Sequence, residues 1–154
     1  MLKLAVCSVD DVDHYVSTYS KNQEIKKDIE LRIEEIQAKL EKGAGSIIRM
    51  DGGNQRDPFK RNSQYSALYQ QLDDNIEQLN MQILKIQVVD HMLMILRKVD
   101  QNGAKIAEKR INDVKFTEIA KELGISKLQV HRVWRKAVAK AIYCAKMIQY
   151  HVNP

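Results

Sequence analysis

The feature that most constrains the fold of this chain is an apolar repeat that runs through residues 63–99. Because an α-helix turns about 100° per residue, side chains spaced three and four residues apart lie along one stripe. The repeat therefore predicts one long helix. The scarcity of helix breakers, with 2 prolines and 6 glycines in 154 residues, favours helix elsewhere too. The stripe consists of Leu68, Leu72, Ile76, Leu79, Ile83, Ile86, Val89, Leu93 and Leu96.

A second apolar repeat predicts another helix over residues 12–42. Gly43 and Gly45 are expected to end it, since glycine readily adopts the left-handed conformation that closes a helix. Residues 43–62, with Gly52-Gly53 and Asp57-Pro58, are predicted to form a flexible loop. The stripe of this helix consists of Ile25, Ile29, Ile33, Ile36 and Leu40.

Two long helices joined by one loop are expected to pack as an antiparallel hairpin with their stripes facing. Apolar residues outside the stripe of residues 63–99 predict a further partner, either the C-terminal helices or a second copy of the chain. We expect a homodimer through this helix. Asn102-Gly103 is expected to break it, before a short helical piece at 105–110. The residues outside the stripe are Met81, Leu84, Met92, Met94 and Ile95.

Basic charge is concentrated at one end of the chain. Residues 103–154 hold 11 Lys and Arg against 4 Asp and Glu, a net of +7, whereas residues 1–102 hold 14 against 16, a net of −2. No acidic side chain follows Glu122. A basic end on a near-neutral body is typical of proteins that bind the nucleic-acid backbone. A solubilising basic tail is the alternative.

Residues 116–141 have the pattern of a helix-turn-helix. A short helix is expected to bury the apolar face formed by Phe116, Ile119, Ala120 and Leu123. Ala120 is small enough for a second helix to approach, and four residues later Gly124 can take the positive φ of a sharp turn.

The second helix of this motif is expected to begin at a capping box formed by Ser126 and Gln129. Ile125 is expected to anchor the preceding turn in the core. The predicted fold class is therefore all-α, with a helical hairpin in residues 1–102 and a helix-turn-helix domain in residues 103–154. The inward stripe of the second helix is Val130, Val133, Trp134, Ala137, Val138 and Ala141.

The opposite face of the second helix is predicted to bind double-stranded DNA. In such motifs the start of the second helix enters the major groove. Arginine or lysine on a guanine edge is the commonest specific contact there. His131 is expected to be exposed, and Lys136 and Lys140 to lie along the phosphates. The predicted DNA-binding residues are Ser126, Lys127, Leu128, His131, Arg132, Arg135, Lys136 and Lys140.

The segment FTEIAKELGISKLQVHRVWRKAVAKA resembles region four of bacterial sigma factors. It is also similar to the closing block of the small sigma-like (ArpU/RinA-type) regulators of phages of Gram-positive bacteria. The resemblance covers residues 116–141. It implies a late-gene activator that acts at a promoter with host RNA polymerase, with Lys127, Leu128 and Arg132 at the base-contacting positions and Ser126 as the cap.

Leu128 departs from the sigma-factor pattern, which usually has glutamate at this position. A leucine can contact a thymine methyl group but cannot accept a hydrogen bond from cytosine. We therefore expect a thymine opposite Leu128 in the preferred site.

A protein-binding module is the alternative function. In that case the helix-turn-helix or the hairpin inhibits or assembles a partner, as in a host-takeover inhibitor or a small subunit of a packaging terminase. The order of the parts argues against the second of these, since terminase small subunits usually place the DNA-binding unit first.

Nothing in the sequence points to catalysis. No Ser-His-Asp, Cys-His or paired-carboxylate motif is apparent, and His131 has no histidine or cysteine at metal-ligand spacing. We expect no enzyme activity, cofactor or metal. Cys7 and Cys144 are expected to be free thiols in a reducing cytoplasm. The uncharged run Leu4–Val9 is too short to cross a membrane, and no membrane partner is expected.

Overall fold

The computed structural model describes residues 4–48 and 58–152. The predicted all-α fold class is confirmed: six α-helices follow a short 3-10 turn at Leu4–Val6, and these ranges contain no strand. The helices are α1 (Val9–Ser17), α2 (Tyr19–Ile48), α3 (Pro58–Val99), α4 (Gln101–Ile111), α5 (Phe116–Leu123) and α6 (Lys127–Val152).

The single helix predicted over residues 12–42 is wrong, because α1 and α2 are separate. A capping box starts α1: the Asp11 amide donates to Ser8 Oγ (3.1 Å), and the Ser8 amide donates to the Asp11 carboxylate (3.0 Å). Both bonds lower the pKa of Asp11, and the one from the Ser8 backbone amide has the larger effect. At the other end, the Ser17 and Thr18 hydroxyls both donate to the His14 carbonyl oxygen at 2.8 Å. Such bonds compete with the helical ladder, so α1 ends there.

The predicted loop boundaries are also wrong, because both flanking helices extend into the 43–62 region. Gly43 and Gly45 lie inside α2 rather than at its end. An interior glycine costs about 1 kcal/mol relative to alanine, which does not stop a helix already formed. Helix α3 begins at Pro58, which suits a first helical position because its missing N–H has no helical partner there. The rest of the predicted loop, residues 49–57, lies outside the described residues.

Gly103 was predicted to break a helix, but it lies inside α4 and allows close packing. Helix α3 ends at Val99, and the Asp100 carboxylate caps α4 by accepting from the Gly103 amide at 3.0 Å. Gly103 is buried in α4 against α6, where an added Cβ would lie only 2.5 Å from Ala137 Cβ. The glycine therefore allows α4 and α6 to approach each other.

The chain divides into two compact units. The first unit combines Met1–Gln23 with Ile83–Pro154, and the second is Glu24–Gln82. This division does not coincide with the predicted boundary between residues 102 and 103. The reason is that α1 and the end of α3 share one hydrophobic core with α4, α5 and α6.

Helix α6 lies at the centre of the first unit and contacts α1, α4, α5 and the 3-10 turn. Met92 and Ile95, which the sequence left outside the stripe of α3, are buried in this core and need no other partner. The largest fully buried side chains are Trp134, Leu4, Met92, Leu96, Ile106 and Ile119.

In the second unit most residues of the predicted apolar stripes are at least half-buried, but Ile76 is 40% exposed. Ile29 and Ile36 of α2 are buried, and Leu68, Leu72 and Leu79 of α3 are half-buried. The antiparallel hairpin itself stays a prediction, as does the homodimer. Two of the residues on which the dimer was based, Met81 and Met94, are exposed.

By length and composition alone, residues 63–99 of α3 would also qualify as a membrane-spanning helix. Core helices of soluble proteins meet the same criteria. The end of α3 packs in the first unit through Val88, Val89, Met92, Ile95 and Leu96, and 28% of its most apolar stretch is buried.

Candidate nucleic-acid interface

The turn between α5 and α6 has the geometry predicted from Gly124. This residue has φ 67° and ψ 28°, a left-handed conformation. The Ile125 amide donates to the Ala120 carbonyl (3.1 Å) and the Gly124 amide to the Lys121 carbonyl (3.4 Å), which together close α5. Apart from its chain neighbours, no described residue has an atom within 4 Å of a Cβ built at Gly124. Glycine is therefore favoured here by the positive φ of the backbone, and not by a lack of room for a side chain.

The predicted capping box at the start of α6 is confirmed. The Gln129 amide donates to Ser126 Oγ (3.2 Å), and the Ser126 amide donates to Gln129 Oε1 (3.0 Å). Both bonds satisfy N–H groups that the helix itself cannot pair. The first turn of α6 is thus fixed while its neighbouring side chains, Lys127 and Leu128, are exposed.

The inward face of α6 is buried nearly as predicted. Val130, Ala137, Val138 and Ala141 are fully buried and Trp134 is 1% exposed, while Val133 is half-buried. The main departure lies in α5, where Leu123, expected on the buried face, is 43% exposed. Its position in the last turn of a helix of eight residues places it at the edge of the core.

Trp134 is a core residue, as its place on the inward stripe predicts. Its indole Nε1 donates a hydrogen bond of 2.7 Å to Asp13 Oδ1 on α1. The polar group of the tryptophan is therefore satisfied although the ring is buried. No sequence pattern connects these residues, which are 121 positions apart.

The outer face of α6 carries three cations that have no partner among the described residues. Lys127, Arg132 and Lys136 are exposed, and within the described ranges they make no ion pair or side-chain hydrogen bond. Leu128, Arg132 and Lys136 are spaced by four residues, so they follow one line along the helix. Leu128 is 60% exposed at the start of this line.

Three predicted DNA contacts already have partners within the chain. His131 is half-buried, with its ring centroid 4.2 Å from that of Phe116, so the prediction that it is exposed is wrong. Arg135 Nη1 lies 3.0 Å from Asp10 Oδ1, with both side chains mostly exposed. Lys140 Nζ donates to the Val99 carbonyl at 3.0 Å and caps α3.

Asp10 also changes the charge of this face. The sequence places no acid after Glu122, yet α1 brings a carboxylate against α6 from more than a hundred residues away. Because the partners of Arg135 and Lys140 lie on other elements, local patterns cannot reveal them.

Arg110, at the end of α4, is a candidate that no sequence pattern singled out. Its guanidinium Cζ lies 4.2 Å from the centroid of the Phe116 ring, the same ring that contacts His131. The neighbouring Lys109 forms an ion pair with Glu122. Arg110 lies inside the short helical piece predicted at 105–110, but nothing in that pattern separates it from the other basic residues there.

Among the residues that the structure describes, no three His, Cys, Asp or Glu side chains are arranged to hold a metal ion. Cys7 and Cys144 do not form a disulfide. Burial, followed by the charge of Asp11, raises the pKa of the Cys7 thiol. Since the thiolate is the nucleophilic form, the environment of Cys7 does not favour nucleophilic chemistry at neutral pH.

Comparison of the chain with protein-family models, with characterised proteins and with solved structures finds no match.

Proposed function

We propose that this protein is a sequence-specific, double-stranded DNA-binding regulator of transcription that presents the first turns of α6 to the major groove. The observation that carries the proposal combines a helix start fixed by its capping box with the exposed cations Lys127, Arg132 and Lys136, which have no partner among the described residues. The major groove of B-form DNA is wide enough to admit an α-helix.

The residues of this face have different roles in the proposal. Arg132 lies one turn from the N-terminal end of α6, at the depth where a guanidinium reads a guanine edge. Lys136 lies one turn further along, next to the sugar-phosphate backbone at the edge of the groove, and it contacts a phosphate. Leu128 offers an apolar surface to a thymine methyl group, the one apolar group in the major groove.

The sigma-like pattern of residues 116–141 is the basis for the biological setting that we propose. On that basis the protein activates late genes of a phage, acting as a homodimer at a promoter together with host RNA polymerase. The geometry of α5 and α6 supports DNA binding more directly than it supports this setting.

Selection of binding sites from random duplexes with the purified chain tests the proposal. Affinity for the selected and for a scrambled duplex is then measured over a series of salt concentrations. Arg132→Ala is expected to cost about 1–3 kcal/mol on the selected site only. Lys136→Ala should weaken both duplexes alike and reduce the salt slope by about 1.

Lys136→Ala is a better phosphate probe than Lys140→Ala, since loss of the Lys140 ammonium would also uncap α3. If neither duplex is bound at low salt, or if both variants bind like the wild type, the proposal is wrong.

A protein-binding module that inhibits or assembles a partner is the second candidate. The exposed apolar residues on the last turns of α6, among them Tyr143, Met147 and Tyr150, favour it. Their spacing of four and three residues places them on one side of the helix. Absence of DNA binding by a folded chain would make this candidate the better one.

A further inference from the structure

Arg110 occupies the place where α4, α5 and α6 meet. The ring of Phe116, at the start of α5, contacts the Arg110 guanidinium at 4.2 Å and the His131 ring on α6 at 4.2 Å. His131 lies one turn after Lys127, so the guanidinium is close to the first turns of α6. Helix α4 therefore adds a cation to a face that the sequence assigns to α6 alone.

The charge of Arg110 is not neutralised by the residues that the structure describes. Its Nε is buried without a hydrogen-bond partner, and Arg110 forms no ion pair. Two nearby acids are already paired, Glu108 with Arg97 and Glu122 with Lys109, and Asp113, three residues further on, forms no ion pair with Arg110. An aromatic ring attracts a cation but cancels no charge. The Phe116 ring thus holds the guanidinium in place and leaves it with a full positive charge.

We propose that Arg110 binds a phosphate oxygen of the DNA backbone at the edge of the groove that α6 enters. This inference rests on the proposed function. In a helix-turn-helix the first helix crosses the DNA backbone, and here the first helix is α5, which begins at Phe116 beneath Arg110. A guanidinium held on one face by an aromatic ring presents its terminal N–H groups in a fixed fork, which matches the oxygens of a phosphate.

The test compares the full chain with Arg110→Gln and with Lys105→Gln. The control removes the same charge from an exposed position of the same helix. Affinities for the selected and the scrambled duplex are measured over a series of salt concentrations. Arg110→Gln is expected to weaken both duplexes by the same factor and to make the slope of log K against log salt shallower by about 0.9, the value for one lost phosphate contact. Lys105→Gln should leave the slope unchanged.

An unchanged slope in Arg110→Gln, while the wild type binds DNA, overturns the inference and leaves the proposed function standing. An equal change in Lys105→Gln also overturns it, because the effect would then be one of overall charge. If the wild type binds no duplex, the proposed function fails first.

Should Arg110→Gln not fold, Arg110→Met removes the charge while its flexible apolar side chain can still pack on the Phe116 ring, and ethylation interference replaces the salt series. Loss of interference at one phosphate in each site supports the inference. A pattern identical to that of the wild type overturns it.

Discussion

The indole Nε1 of Trp134 and the carboxylate of Asp13 are joined by a hydrogen bond of 2.7 Å, which ties the first α-helix to the last. One residue further along α6, Arg135 pairs with Asp10. Two neighbouring side chains of α6 are thus bound by two acids of α1. The first contact is partly buried and the second is exposed.

These two contacts should differ in what they contribute to stability. Asp13→Ala leaves a buried indole N–H without an acceptor, so we expect a loss of about 1–3 kcal/mol in the free energy of unfolding. Asp10→Ala breaks an exposed ion pair and should cost about 0–1 kcal/mol. Urea unfolding followed by the fluorescence of Trp134 measures both. Equal losses in the two variants would contradict the assignment of Trp134 Nε1 to Asp13.

Gly103 and Gly124 should both resist substitution by alanine, for different reasons. At Gly103 the new methyl group collides with Ala137, and overpacking of this kind costs about 1–3 kcal/mol. At Gly124 there is space, but the positive φ costs an alanine roughly 1–2 kcal/mol.

Adding Ala137→Gly separates the two causes. It should recover part of the loss in Gly103→Ala and none of the loss in Gly124→Ala, as measured by urea unfolding. A neutral or stabilising Gly103→Ala would mean that α4 and α6 are not in close contact.

The stability of the protein should fall between pH 10 and 12 because of Tyr19. Burial has the largest effect on the pKa of Tyr19, and together with the hydrogen bond of 2.8 Å to Asp90 Oδ1 and the charge of that carboxylate it raises the pKa to about 12. Since the folded pKa lies above the ordinary value of 10.0, the stabilisation is complete below pH 10 and disappears as the pH rises through about 12.

Ultraviolet absorbance follows tyrosine ionisation in the wild type and in Tyr19→Phe. The difference between their titration curves should have its midpoint near 12. Asp90→Asn removes the charge and should move that midpoint down, though burial keeps it above 10. A difference midpoint near 10 would show that Tyr19 is neither buried nor bonded.

Leu128→Glu should move the preferred DNA site from thymine towards cytosine, because glutamate accepts a hydrogen bond from the cytosine amino group. The fold should persist, since an acid in the first turn of a helix is favourable. Site selection with wild type and variant in parallel measures the change. Leu123→Glu is a matched control, an exposed leucine on α5 that should leave the preference unchanged.

An unchanged preference in Leu128→Glu would contradict base reading by this residue. Loss of binding to a protein partner in the same variant would instead favour the second candidate function.

The sequence predicts best what short-range rules decide. The repeat along α3, the turn at Gly124 and the capping box of Ser126 each depend on residues within a few positions, and each was found where predicted. The break after Ser17 was missed, because a hydroxyl that bonds its own backbone does not disturb the apolar periodicity.

Long-range contacts account for what the sequence did not predict at the candidate interface. Arg135 and Lys140 are paired with Asp10 and Val99, and Arg110 lies on Phe116, all across different helices. Periodicity shows which side of a helix faces inward but not which neighbour covers it. For the same reason, the sequence did not predict that α1 belongs to the first unit together with α4, α5 and α6.

The division of the first unit between the two ends of the sequence has a consequence for synthesis. Helix α1 is translated before α6, but the surface that covers Val12 and Asp13 includes α6, and Trp134 is made 121 residues after Asp13. At the usual speed of translation the delay is roughly 6–24 seconds. During that time α1 must remain without its partner, and the core of the first unit cannot assemble until α6 has been translated.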